Sequence, residues 1–362
     1  MTPTSGSDNA SGRPLKVAVV GLGRIGSLHA EHVFGQVPFA ELVAVADVDE
    51  GLARSTGEFY GAAWTTDTAQ LLTDPRIDAV VLATPTAQHP DHVEAAAAAG
   101  KAIFCEKPLA LSDERTRQVI AAVETAGVPL QVGLHRRLDP DTAEAKRAVE
   151  AGDLGTPYSF RTSLRDMNPQ PLEYIANSGS FFVDVSIHDL DLARWLVGEI
   201  VEVTAFGSSV SDPGYAKMDT VDHAVIVVRF ENDALGVIDN SRIAGYGYEA
   251  STELVGSKST LRIANSQRTQ VTVLSEANAR NDHSIDFVER FRDAYRLELV
   301  TFVEAVRNGA PPPITGWDAL AAFTLATASD RSWRTGHPVA LTVDRSKGHV
   351  EYQIDDGDPA AR

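Results

Sequence analysis

A single cysteine, Cys105, in 362 residues leaves no partner for an internal disulfide and no thiolate set for zinc. A chain so built suits a reducing compartment, and the cytoplasm is the expected location. Cys105 sits inside an apolar run and reads as a buried packing residue rather than a nucleophile. Basic residues are also short: 32 Lys and Arg stand against 50 Asp and Glu, for a formal charge of -18. That balance argues against nucleic acid or an anionic membrane as partner. No apolar run approaches the length needed to span a bilayer, and residues 1–13 lack the apolar core of a secretory signal. The histidines His29, His32, His89, His92, His135 and His223 form no cluster with ligand spacing and a carboxylate, so no metal is expected. His29 and His32 share a helix face and are expected at the surface.

What is present begins with an apolar strand, Lys16 to Val20, running into Gly21-Leu22-Gly23-Arg24-Ile25-Gly26. Gly21 permits a tight turn, Gly23 lets a pyrophosphate approach the backbone, and Gly26 lets the following helix pack on the strand. The helix N-terminus then faces the anion. A second strand, Leu42 to Ala46, ends in Asp47, ~20 residues past the last glycine, as a dinucleotide fold requires. Its carboxylate can accept from the adenosine ribose hydroxyls and repels a 2′-phosphate, which favours NAD over NADP. A bare glycine pattern also fits turns in other α/β folds; the strand, helix and Asp47 together point to a Rossmann NAD-binding domain.

A further strand, Ala102 to Cys105, leads straight into Glu106-Lys107-Pro108. Strand carboxyl ends of an open parallel sheet point into the ligand crevice, where a partly desolvated lysine can hold or donate a proton to a substrate oxygen. The plainer alternative is a surface lysine paired with Glu106. The stretch from Gly179 to Asp191 places Asp184, His188 and Asp191 on one face of an otherwise apolar helix continuing through Leu192, Trp195 and Leu196. Alone, that stripe also fits a solvated helix face with an ordinary histidine; beside the other two segments it suits the wall of a cleft.

The organisation expected is α/β followed by α+β. A tail over residues 1–14 precedes a Rossmann domain over 15–135, in which short apolar strands alternate with helices in a right-handed βαβ series. From about Thr156 strands alternate inward and outward and are joined by short turns such as Glu231-Asn232-Asp233, the pattern of a mostly antiparallel open sheet packed on helices. This second domain, over 136–345, would bind substrate and mediate oligomerisation. Helices are expected over 284–308 and 317–334, the latter capped by Thr315, and residues 346–362 read as a second tail.

Together, Gly21 to Gly26, Glu106-Lys107-Pro108 and the Asp184–His188 helix resemble the Gfo/Idh/MocA oxidoreductases, over nearly all of Lys16 to Leu341. Within that family the likeness is greatest to its inositol-oxidising members, through Arg165-Asp166, Glu173-Tyr174-Ile175, Ile187 to Asp191, Tyr246-Gly247-Tyr248 and Phe287 to Phe291 leading to Ala294-Tyr295. The resemblance implies NAD-dependent oxidation of a secondary hydroxyl of a cyclic polyol, with myo-inositol foremost. It makes Lys107, Asp184 and His188 the catalytic trio. Gly21, Gly23, Arg24, Ile25, Gly26, Asp47, Thr84, Pro85, His89, Glu106 and Lys107 would hold NAD, and Arg137, Asp166, Asp191, Tyr246 and Tyr295 the polyol. A homo-oligomer, a tetramer, is expected from the open sheet face. Dehydrogenation of another cyclitol or sugar, or an NAD-using redox glycosidase on the same fold, are the alternatives.

Overall fold

The computed structural model describes residues 12–355 apart from 169 and 266. The expected tails therefore lie outside the described residues up to 11 and from 356 onward. The chain divides into two compact units, one holding residues up to 133 together with 295–319, the other 134–294 and 320 onward.

The first unit is built on a six-stranded parallel sheet of β1 (Leu15–Val20), β2 (Ala40–Ala46), β3 (Ala63–Thr65), β4 (Ala79–Leu82), β5 (Ala102–Glu106) and β6 (Leu130–Gly133), in the order β3-β2-β1-β4-β5-β6. All four residues of β4 are buried, as expected of a strand covered on both faces. Helices Arg24–Gly35, Glu50–Tyr60, Thr68–Thr73, His89–Ala98 and Asp113–Ala126 connect the strands. Each of the second, third and fifth starts on a side chain, Asp49, Asp67 and Ser112, that accepts from a first-turn N–H.

Residues 295–319 return to this unit. Leu299, Phe302 and Val303 enter the same core as Ala30 and Val33 of helix Arg24–Gly35 and Phe104 of β5. That cover corrects one expectation: His29 and His32 are wholly buried, because the helix face they occupy meets a segment more than 250 residues away rather than water.

The second unit carries an eight-stranded sheet, with β7 (Pro157–Arg165), β8 (Ile200–Ser208), β9 (His223–Phe230), β10 (Leu235–Ser241), β11 (Glu249–Gly256) and β12 (Thr260–Ile263). A short hairpin of β13 (Val273–Leu274) and β14 (Ala279–Arg280) stands apart, and β15 (Val339–Asp344) and β16 (Glu351–Ile354) complete the large sheet. Its order is β12-β11-β7-β10-β9-β8-β15-β16, and every pair is antiparallel except β7 with β10. Strand β9 alternates strictly between inner and outer residues, which fixes its register against both neighbours. The segment after 345 is not wholly a tail: Glu351–Ile354 pairs with β15, and the hydroxyl of buried Tyr352 accepts from the Ile200 N–H at 3.1 Å and donates to Glu199. Helix Gly316–Thr335 opens on a reciprocal cap in which Thr315 and Asp318 each bond the other's backbone N–H. Where one helix was expected over 284–308, there are two, Phe287–Arg290 and Arg292–Asn308.

Candidate active site

The glycine loop and the strand ends expected to hold the dinucleotide lie in the first unit. A Cβ on Gly26 would sit 1.7 Å from the Gly21 carbonyl oxygen, and one on Gly21, at φ +84°, would sit 2.7 Å from the Ala83 carbonyl. These two glycines are demanded by backbone packing between β1, β4 and the helix. Gly23 differs: a Cβ there would meet nothing within 4 Å, and as N-cap of Arg24–Gly35 it provides no side-chain bond to the first-turn N–H groups. Open space above uncapped N–H donors suits a pyrophosphate. Arg24 is exposed at this end and Ile25 half-buried.

Asp47 ends β2 and is drawn into the same loop. Its Oδ2 accepts from the Leu22 N–H at 2.6 Å and its Oδ1 from the Asp49 N–H at 2.9 Å. A carboxylate so fixed still has lone pairs for ribose hydroxyls. The residues present therefore fit NAD.

The turns after β4 and β5 are tied together by His89. Its Nε2 lies 2.8 Å from the Thr84 carbonyl and its Nδ1 2.8 Å from that of Pro108. The ring is buried, and burial pushes its pKa below the ordinary imidazole value. His89, expected from the sequence beside NAD, braces Thr84-Pro85 against Glu106-Lys107-Pro108. Lys107 is half-buried on that turn, and Glu106 lies against Gly133 of β6, where a Cβ would come within 2.9 Å of its Oε2. Burial raises the Cys105 thiol well above the usual range, as an inert thiol requires. Tyr295 is also in this unit, buried, with its ring 5.9 Å from that of His29.

The second unit holds the helix carrying Asp184 and His188. The regular helix expected from sequence starts instead with a π-helical turn over Phe182–Ser186, which becomes α-helical at Ile187 and runs to Val197. The wider turn changes the stagger between Asp184 and His188, a local irregularity common at functional positions. The three polar residues of the stripe engage separate sets of partners. Asp184 accepts from Arg242 Nη2 at 3.0 Å and from the Tyr174 hydroxyl at 3.1 Å. The ring of His188 packs edge-on against His135, with centroids 4.9 Å apart. Asp191 pairs in two-pronged fashion with Arg137, at 2.8 and 2.5 Å, and both are buried.

That last pairing brings together two residues that sequence offered separately to the polyol; each satisfies the other, and the pair ties the turn His135–Leu138 to the helix. Asp166 is half-buried just after β7, its N–H bonded to the Ser241 carbonyl at 3.0 Å. Tyr246 is half-exposed, its hydroxyl donating to Glu249 and accepting from Arg165 at 3.4 Å. Burial, and then the bond to Glu249, raise its phenol above the ordinary value.

Three supporting residues escaped the sequence reading. Arg242 follows β10, is only 1% exposed, and stacks its guanidinium 5.3 Å from the Phe181 ring. Tyr174 stood in a stretch noted for resemblance but had no assigned role. Asp189, wholly buried beneath the helix, accepts from Arg136, from the Thr162 hydroxyl at 2.9 Å and from the Asn240 amide at 2.8 Å. An Asp directly after His188 in the chain was the only signal available.

A parallel sheet with a glycine loop at β1, an acid at the end of β2 and a lysine at the end of β5 defines a dinucleotide-dependent enzyme scaffold. Residues 15–134 match the model of the "Oxidoreductase family, NAD-binding Rossmann fold", and residues 146–341 that of the "Oxidoreductase family, C-terminal alpha/beta domain". The chain belongs to this Gfo/Idh/MocA oxidoreductase family. Among its relatives, scyllo-inositol 2-dehydrogenase (NAD(+)) of Bacillus subtilis is 40% identical over 92% of this chain and 98% of its own. Myo-inositol 2-dehydrogenase of Thermotoga maritima is 41% identical over 90% and 98% respectively. The solved structure of scyllo-inositol dehydrogenase from Lactobacillus casei, with bound NAD(H) and scyllo-inositol, superposes with a TM-score of 0.85 at 29% identity, covering 91% of this chain and 99% of that one.

Proposed function

We propose that this protein is an NAD-dependent dehydrogenase that oxidises a secondary ring hydroxyl of a cyclitol, myo- or scyllo-inositol, to the ketone. The observation that carries the reading is the occurrence of Lys107, Asp184 and His188, with the NAD-fitting loop and Asp47, in a chain 40% identical along almost its whole length to an inositol dehydrogenase. NAD, when bound, accepts the hydride from the carbinol carbon. His188 takes the hydroxyl proton, and the ketone forms as the C–H electron pair departs. Lys107 holds the developing alkoxide, a charged donor that stabilises the transition state more than the neutral alcohol. Asp184, which accepts from Arg242 and Tyr174, orients the imidazole and favours its protonated form. Of the residues named for the polyol, Asp166 and Tyr246 retain exposed surface for it.

The redox-glycosidase alternative draws no support from these relatives. A panel of myo-, scyllo- and chiro-inositol with glucose and xylose, followed by NADH absorbance, tests the reading. NADH formation with an inositol and not with the sugars is expected; turnover of a sugar alone contradicts it.

The same proposal extends to assembly. One face of the large sheet exposes Phe206, Val227, Leu235 and Val237 on adjacent strands, an apolar patch that a homo-oligomer, and in our reading a tetramer, would cover. Light scattering across a dilution series tests it. No helix among the described residues is long and apolar enough to cross a membrane. The cytoplasmic placement rests on the lone, buried Cys105.

A further inference from the structure

Behind the Lys107 turn, the first unit packs three ionisable side chains together. His29 comes from helix Arg24–Gly35, Glu106 ends β5, and Glu298 comes from helix Arg292–Asn308. His29 and Glu298 are wholly buried. His29 Nε2 lies 2.7 Å from Oε1 of Glu106 and 3.9 Å from Oε1 of Glu298. Among the described residues, neither carboxyl oxygen of Glu298 has a hydrogen-bond partner.

The groups facing Glu298 are His29 from the glycine-loop helix, Glu106 from β5, Gln131 from β6, whose amide donates to the Glu298 backbone carbonyl at 2.7 Å, and Tyr295 on its own helix, packed on His29. None of these is a fixed cation. An ionised Glu298 would put a second negative charge beside Glu106 in a buried site, and two carboxylates so placed do not both ionise. Burial and the charge of Glu106 push the Glu298 carboxyl well above the usual range.

We propose that Glu298 holds its proton as a neutral acid, leaving Glu106 the one anion paired with His29, and that this triad is a positioning brace for Lys107. Glu298 acts through His29 and Glu106 on the turn that carries the lysine; the catalytic part of this role rests on the function proposed above. Ionising Glu298 places two anions against one imidazole, displaces Glu106, and with it the next residue. A bound cation is the competing occupant. The direct 2.7 Å contact between His29 and Glu106 leaves no room for one between those atoms, since two ligands of one ion stand ~3 Å apart or more.

Infrared difference spectroscopy of the parent against Glu298→Gln at neutral pH should reveal the carbonyl stretch of a protonated carboxylic acid in the parent alone. Melting curves across pH give the second arm. The folded parent keeps a proton that the unfolded chain releases above the ordinary glutamic range, so its stability falls as pH rises from that range toward the raised folded value. The variant lacks this slope, and its melting temperature relative to the parent should climb with pH. Ionisation of Glu298 should make the parent's kcat fall again at alkaline pH, above the rise set by the general base; Glu298→Ala should lower kcat about tenfold with KM little changed, and Gln should restore most of the loss and remove that alkaline fall. Absence of the acid band, a pH-independent melting difference, or a stoichiometric metal released by chelator would overturn the protonation state. A Gln variant that keeps the parent's alkaline fall would overturn the positioning role. The first two arms need no turnover, so a parent inert toward cyclitols refutes the proposed function separately.

Discussion

The carboxylate of Asp184 is held by the guanidinium of Arg242, whose Nη2 donates to Oδ2 at 3.0 Å while the arginine side chain is 1% exposed. Asp184 is therefore compensated from β10's end, across 58 residues of chain. Replacing Arg242 with Gln leaves a largely buried carboxylate without its cation. Breaking such a pair costs ~3–5 kcal/mol, and kcat should fall with it. Urea denaturation and steady-state rates check both; unchanged stability would mean that the pair is not formed. Tyr174→Phe removes only a neutral donor from a half-exposed tyrosine, and should cost ~1 kcal/mol or less.

Asp47 is proposed to set cofactor choice. Fixed by the N–H groups of Leu22 and Asp49, it cannot turn away from the ribose without losing both bonds. A 2′-phosphate would meet like charge in a partly buried site. The ratio of kcat/KM for NAD over NADP should be high in the parent and should drop in Asp47→Ala. A parent that uses NADP equally well contradicts this assignment.

Asp189 is the polar anchor beneath the helix of His188. Asp189→Ala strands Arg136 in a buried site, removes the acceptor of the Asn240 amide and takes one of the partners of the Thr162 hydroxyl. A loss of ~3–5 kcal/mol is expected. A change below ~1 kcal/mol in urea denaturation would show that the network is not closed as described.

These supports explain what was legible in the sequence and what was not. The glycine loop, Asp47, Glu106-Lys107-Pro108 and the Asp184–His188 segment are local signals whose spacing carries their meaning. The surroundings of those residues are assembled from distant chain. Asp189 collects donors from the turn at Arg136, from β7 and from β10; Arg137 and Asp191 turn toward each other across 54 positions. His29 reads as a surface residue until residues 295–319 cover its helix. The parallel pairing of β7 with β10 is invisible to strand alternation, which has the same period in either direction. Residues 351–354 give too short a run for alternation to mark the strand they form on β15.

If His188 is the general base, as proposed, the oxidation rate should rise with pH before any alkaline fall. His188→Ala should lower kcat far more than it weakens NAD binding. A variant with near-parent turnover would remove His188 from the mechanism.

The most direct measurement of the whole account is single-turnover NADH formation by stopped flow with myo-inositol, for the parent and for Lys107→Met, with NAD titration and melting curves alongside. Rapid NADH formation is expected of the parent and a loss of ~100-fold or more of the variant, with NAD affinity and fold retained, as removal of one charged transition-state donor requires. An unimpaired Lys107→Met protein, or a parent that transfers no hydride from any cyclitol, would contradict it.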